Sequence, residues 1–159
     1  MEIKFWLNGR KIQTEIKADT LLLDLLREKE CYSVKRGCET ANCGLCTVLV
    51  EEKPVLSCST LAARVQEKHV VTLEGLQDKA EEFGRFLAGE GAEQCGFCNP
   101  GFIMNIFAMA KELSDPTEEE IKEYLAGNLC RCSGFMGQTR SILKYLEYKK
   151  SQKEKGEGE

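Results

Sequence analysis

The sequence predicts an α+β chain, with strands wrapped around one helix in the N-terminal half and a four-helix bundle in the C-terminal half. Three observations predict it. Short apolar runs bounded by turn residues fill the chain up to about residue 73, and apolar residues recur at helical spacing from about residue 79. The nine cysteines fall mostly in the segments between those runs.

Residues 2–7 and 11–16 read as two strands joined at Asn8-Gly9, because both turn residues tolerate the positive φ of a tight hairpin. Thr20 is placed to cap a helix over residues 21–29, with Leu22, Leu25 and Leu26 on one face. A loop dense in glycine and cysteine follows over residues 36–46. Residues 46–50 and 54–56 read as short strands, 59–66 as a helix and 69–73 as a further strand. Strands around one helix, with a cysteine loop after it, predict a small β-grasp domain over residues 1–76.

Residues 77–150 read as the bundle, with the pattern changing near residues 74–78. Phe83, Phe86 and Leu87 fit one helix; Phe102, Ile103, Ile106, Phe107 and Ala110 fit a second. Thr117 and Glu120 form a capping box for a third, carrying Ile121, Tyr124 and Leu125. Ile142, Leu143, Tyr145 and Leu146 fit a fourth. A faint repeat runs through this half: Leu87-Ala88-Gly89 leads to Cys95 and Cys98, and Leu125-Ala126-Gly127 leads to Cys130 and Cys132. If each copy is a helix–turn–helix pair, two turns present four thiols at one end of the bundle. Residues 151–159 have nothing apolar to bury and are predicted to be a disordered tail.

A chain of 159 residues, 42% of them hydrophobic, can bury a core without covalent staples, so nine cysteines exceed what folding needs. The first residues lack a basic leader followed by an apolar run, and no apolar stretch approaches the roughly 20 residues of a membrane span. A cytoplasmic chain with reduced thiols is therefore expected, where clustered cysteines serve metal binding or redox chemistry. The net charge is −4, and the only basic cluster is the sparse Lys149-Lys150-Ser151-Gln152-Lys153. No cationic face is available to displace counterions, so no nucleic-acid partner is expected.

The first cysteine group is Cys38, Cys43, Cys46 and Cys58. Its opening C-x4-C-x2-C is the plant-type ferredoxin spacing for a [2Fe–2S] cluster. Such a loop aims backbone N–H groups at the sulfurs, where they stabilise the charge gained on reduction. Gly37 and Gly44 suit a backbone that must come close to the cluster, and Cys58 is expected at the start of a helix whose dipole favours an anion. The second group is Cys95, Cys98, Cys130 and Cys132. On spacing alone it also fits zinc, although C-x-C in place of C-x2-C departs from the zinc ribbon.

The two motifs, in this order, resemble the iron–sulfur small subunit of the molybdenum hydroxylases, the family of xanthine dehydrogenase, aldehyde oxidoreductase and aerobic carbon monoxide dehydrogenase. The resemblance covers residues 3 to about 149. Its strongest stretches are Gln94-Cys95-Gly96-Phe97-Cys98-Asn99-Pro100-Gly101 and Gly127-Asn128-Leu129-Cys130-Arg131-Cys132-Ser133-Gly134. Departures from the family pattern at Ala41, Leu45, Asn99, Ser133, Phe135 and Glu51-Glu52 remove no cluster ligand. The resemblance implies a plant-ferredoxin-like first half and a second [2Fe–2S] cluster on Cys95, Cys98, Cys130 and Cys132 in place of zinc. It also implies a large molybdopterin-binding catalytic subunit that hydroxylates a carbon centre with water, and an FAD-binding subunit. Gln94 and Cys132 would lie beside the molybdenum–pterin cofactor, and electrons would pass to the bundle cluster, then the N-terminal cluster, then FAD. Two other classes remain in view: a freely diffusing ferredoxin-type carrier, which needs no second cluster, and a zinc-stabilised interaction module.

No nucleotide-binding loop, nucleophile or catalytic base is visible, so the chain is expected to conduct electrons and not to transform substrate. Cys31 fits neither group and reads as buried or incidental. His69 reads as a half-exposed strand residue, and Met104 and Met109 as packing. Arg131, between two ligands, reads equally as a charge acting on the cluster and as a surface residue facing a partner.

Overall fold

The computed structural model describes residues 1–132 and 134–156; Ser133 and residues 157–159 of the expected tail lie outside the described residues. Strands β1 (Glu2–Leu7) and β2 (Arg10–Glu15) form an antiparallel hairpin closed at Leu7↔Arg10. Its turn has Asn8 at φ 51° and Gly9 at φ 80°, the left-handed pair that a two-residue turn requires. Ile3, Phe5 and Leu7 alternate inward along β1, and helix α1 (Leu22–Glu28) covers them with Leu22, Leu23, Leu25 and Leu26.

The start of α1 differs from the sequence expectation. Its N-cap is Leu21, which makes no side-chain capping bond. The Thr20 hydroxyl instead accepts from Lys17 N–H at 3.1 Å, and the Thr20 carbonyl accepts from Ala62 N–H at 2.8 Å. Leu21 bridges to Leu61, and Leu22 N–H donates to the Thr60 carbonyl at 2.8 Å. Tertiary pairing therefore anchors this helix end where a local cap was expected. It also keeps Thr60 and Leu61 extended, so the helix expected over 59–66 shrinks to one 3-10 turn, Ala62–Val65.

Strands β3 (Thr47–Val50), β4 (Lys53–Leu56) and β5 (His69–Val71) complete a sheet of order β2-β1-β5-β3-β4 among the described residues. The central β1–β5 pair is parallel, and the other pairs are antiparallel. The β3–β4 turn places Glu51 at φ 50° and Glu52 at φ 66°, which costs roughly 1–2 kcal/mol per residue for side chains of this kind. Two contacts offset that cost. The Glu51 carboxylate accepts from His69 N–H at 2.5 Å, and Glu52 pairs with Lys111 of the bundle.

Helices α2 (Gln77–Gly89), α3 (Asn99–Glu112), α4 (Glu118–Tyr124) and α5 (Gly134–Gly156) form the second half. The capping box at α4 is present as read: Glu120 N–H donates to the Thr117 hydroxyl and Thr117 N–H to the Glu120 carboxylate. Phe83, Leu87, Phe102, Ile106, Ile121, Ile142 and Tyr145 build the core, with Tyr145 edge-on to Phe83 at 5.1 Å; Ala110 lies outside it, exposed. Helix α5 continues to Gly156, past the start of the expected tail at residue 151. Once a helix is nucleated on a packed face, each added residue gains a hydrogen bond, and Lys, Glu and Gln are good helix formers.

A smaller apolar cluster joins the halves. Leu49 of β3 packs against Met104 and Ala108 of α3, with Val71, Leu73, Leu76 and Tyr124 around them. No helix among the described residues is long and apolar enough to cross a membrane.

Candidate metal centres

The first cysteine set is built from the loop between α1 and β3 and the turn after β4. Cys43 and Cys46 are buried, and Cys38 and Cys58 are half-buried. Cys58 stands in a three-residue 3-10 turn, Ser57–Ser59, not at the head of an α-helix as expected, so no helix macrodipole acts on it. A hydrogen bond fixes that turn instead: the Ser57 hydroxyl donates to the Cys46 carbonyl at 2.7 Å.

The four sulfurs lie near enough to act on one another electrostatically. The Cys38 thiol is lowered to about 6, because the N–H groups of Asn42 and Thr40 point at its sulfur, joined by the Cys43 thiol and N–H. Burial pushes the Cys58 thiol up to about 12, and the neighbouring Cys46, Cys38 and Cys43 sulfurs add to the rise. Cys43 is also raised, chiefly by burial, against the pull of Leu45 N–H. Four thiolates so close together repel one another, and bound metal charge relieves that repulsion.

The second set lies at the end of the bundle, where two interhelical segments meet. Cys95 and Cys98 lie between α2 and α3, with Cys98 at the N-cap of α3; Cys130 and Cys132 lie between α4 and α5. Cys132 Sγ is 3.5 Å from Cys95 Sγ, too far for a disulfide. Cys98 is pushed up to about 11 by burial and by Cys130 beside it. Phe97 N–H donates to Cys95 Sγ at 3.5 Å and Cys132 N–H to Cys130 Sγ at 3.4 Å. Cys95 is lowered, first by the Phe97 N–H, while Cys132 is raised, first by Cys95.

Each set therefore resolves into two pairs: Cys38 with Cys43 and Cys46 with Cys58, then Cys95 with Cys132 and Cys98 with Cys130. Among the described residues, no three Cys, His, Asp or Glu side chains are placed to share a single ion. Paired thiols with N–H groups aimed at them fit a [2Fe–2S] cluster, in which each iron takes two thiolates.

The sequence expects two glycines to make room for a cluster, and the structure separates them. A Cβ on Gly37 would meet Leu45 Cδ2 at 3.0 Å and Cys43 Sγ at 3.4 Å, so that glycine lies against the cysteine loop. Gly44, at φ 74°, instead approaches the other half: its Cβ would lie 2.6 Å from Asn128 Nδ2 and from the Gly127 carbonyl. Ala41 also sits in the left-handed region at φ 55°. Leu129 N–H donates to the Cys43 carbonyl at 3.0 Å, and Asn105 Nδ2 donates to Asn128 Oδ1 at 2.5 Å. The first cysteine loop is thus bonded to the segment that carries Cys130.

The remaining candidates are placed clearly. Gln94, Cys95, Arg131 and Cys132 are exposed, and the exposed apolar residues Phe97, Leu129, Phe135 and Met136 stand beside them in the sequence. Cys31 is buried in the N-terminal core, Met104 and Met109 are buried, and the exposed His69 stacks on Trp6 at 4.9 Å. Sequence reading missed Lys35, whose ammonium reaches from the first half to the Phe97 ring (4.7 Å) and carbonyl (3.2 Å). It also missed Gln138, buried with Nε2 at 3.7 Å from Cys98 Sγ. A polar residue on the apolar stripe shared with Ile142 and Tyr145 was the available signal for Gln138.

Comparison with known proteins agrees with this geometry. Residues 5–88 match the family described as "2Fe-2S iron-sulfur cluster binding domain", and residues 72–143 match the "[2Fe-2S] binding domain" family. The chain is 43% identical over 145 residues to the xanthine dehydrogenase iron-sulfur-binding subunit of Escherichia coli O157:H7, covering 89% of this chain and 91% of that one. It is 41% identical over 133 residues to the nicotinate dehydrogenase small FeS subunit of Eubacterium barkeri, covering 82% and 85%. The crystal structure of quinoline 2-oxidoreductase from Pseudomonas putida 86 superposes with a TM-score of 0.82 at 33% identity, over 89% of this chain and 90% of that one. The chain belongs to the family of [2Fe–2S] small subunits of the molybdenum hydroxylases and is an electron-transfer component of an oxidoreductase.

Proposed function

We propose that the chain holds two [2Fe–2S] clusters and carries electrons from a molybdenum–pterin centre on a large catalytic subunit to an FAD-binding subunit. Cys38, Cys43, Cys46 and Cys58 would hold the first cluster in a domain spanning residues 1–76. Cys95, Cys98, Cys130 and Cys132 would hold the second in a domain spanning residues 77–150. Each [2Fe–2S] cluster supplies a one-electron acceptor, which suits a carrier set between a two-electron donor and a flavin. The reading assigns the chain conduction alone, in a cytoplasmic assembly.

The hydrogen bond from Leu129 N–H to the Cys43 carbonyl carries this reading. Cys43 is a ligand of the first set, and Leu129 directly precedes Cys130 of the second. The two sets are thus linked by covalent bonds and one hydrogen bond of 3.0 Å, with no solvent gap to cross. Gly44 lets the same two segments approach by backbone contact, and Gly101 lets α3, whose N-cap is Cys98, approach Gly44 in turn.

The surface supports entry at the second set. Cys95 and Cys132 are exposed, and the exposed apolar residues Phe97, Leu129, Phe135 and Met136 lie within four positions of them in the sequence, apolar surface suited to a lasting partner. The first set has an ionic neighbour instead, Arg36 with Asp24 and Glu39. A freely diffusing ferredoxin has no use for such exposed apolar residues. Gln94, exposed in the isolated chain, offers two donors and an acceptor to a polar heterocycle such as a pterin.

In the assembled enzyme, Gln94→Ala should keep both clusters and slow substrate-driven cluster reduction roughly two- to tenfold, the worth of one hydrogen bond. Stopped-flow reduction of the loaded complex measures this. An unchanged rate, with Gln94 facing solvent in a structure of the complex, would reverse the proposed direction.

A further inference from the structure

Gln138 stands near the start of α5, 2% exposed, on the same helix face as the buried Ile142 and Tyr145. Phe102, Leu125 and Phe135 line the cavity it borders. Packing alone would favour a hydrocarbon here. The amide Nε2 lies 3.7 Å from Cys98 Sγ, while Oε1 is buried and has no hydrogen-bond partner among the described residues. A buried orphan carbonyl costs about 1–3 kcal/mol. The orientation follows from chemistry, because a thiolate sulfur only accepts and the NH2 end must face it.

We propose that Gln138 raises the reduction potential of the second centre by donating an N–H···S hydrogen bond to Cys98. This rests on the ligand assignment under Proposed function. Adding one electron increases the negative charge at the ligand sulfurs, and a fixed donor stabilises that charge more than it stabilises the oxidised state. Backbone N–H groups already serve Cys95 and Cys130. Asn99, the other amide beside Cys98, commits its Nδ2 to Glu93 at 2.8 Å, which leaves Gln138 as the amide donor. Gln138 is a positioning residue for charge at one sulfur and touches no substrate.

The test uses the full chain loaded with iron and sulfide, titrated with dithionite in the presence of redox mediators and read by electron paramagnetic resonance. At the wild-type midpoint of the second centre, Gln138→Leu should lower its reduced-to-oxidised ratio about threefold to tenfold, or about 28–59 mV at 59 mV per tenfold. The first centre should not move. Gln138→Met, which fills the same place with no N–H donor, should shift the second centre in the same direction. Thermal unfolding of loaded Gln138→Leu should match or exceed wild type, because the orphan carbonyl is gone. A merely structural amide gives the opposite pattern: lower stability with an unmoved potential. That pattern, or an equal shift of both centres, overturns the proposal. Wild-type protein with only one centre would instead overturn the ligand assignment, so the two failures are distinguishable.

Discussion

Gly101→Ala is expected to destabilise the loaded protein by about 2 kcal/mol and to disturb the first centre although it lies in the second half. Helix propensity alone predicts the reverse, since alanine gains about 1 kcal/mol over glycine within a helix. Here a Cβ would lie 2.2 Å from the Gly44 carbonyl oxygen and 2.9 Å from Leu45 Cα. Those atoms are backbone, held by the contacts of Gly44 with Asn128, and cannot rotate away. Overpacking costs about 1–3 kcal/mol and occasionally more, and a rigid obstacle puts this case at the upper end. Gly44 and Leu45 separate Cys43 and Cys46, the proposed ligands, so relieving the clash moves the first set. A drop of roughly 4–8 °C in melting temperature should accompany a changed signal from the first centre. Gly84→Ala in α2 is the control, because nothing lies within 4 Å of its Cβ, and it should stabilise by up to about 1 kcal/mol. Equal effects from the two substitutions would contradict the packing argument.

The second large effect concerns the ligands. Cys58→Ala should abolish only the first centre and Cys130→Ala only the second, each lowering iron from about four to about two per chain. Cys58 neighbours Cys46, Cys38 and Cys43, whereas Cys130 neighbours Cys98 and Cys95. The backbone bond between Leu129 and Cys43 couples the two segments mechanically without making them share a ligand. Electron paramagnetic resonance on chains shown to be folded by circular dichroism separates the cases. If either substitution removed both signals from a folded chain, the grouping would be wrong.

Local chemistry written in a few adjacent residues was legible in the sequence. Asn8-Gly9 announced its hairpin, Thr117 and Glu120 their capping box, and the cysteine spacings which thiols lie near one another. Features set by distant partners were not. Thr20 looks like a helix cap but spends its carbonyl on Ala62, and that same pairing turns the helix expected over 59–66 into a single 3-10 turn. Gly44 looked like clearance for a cluster and proves to be clearance for Gly127 and Asn128, more than 80 residues away. Gln138 gave only a weak sign, one polar residue on an apolar stripe, because its meaning lies in a sulfur 40 positions earlier.

Iron and acid-labile sulfide analysis of the loaded chain, combined with its electron paramagnetic resonance spectrum after partial reduction, tests the central claim most directly. Two sets of four thiolates predict about four irons and four sulfides per chain, with two distinguishable paramagnetic centres. About two irons per chain in a fully loaded sample, a single signal and zinc in the remainder would contradict it.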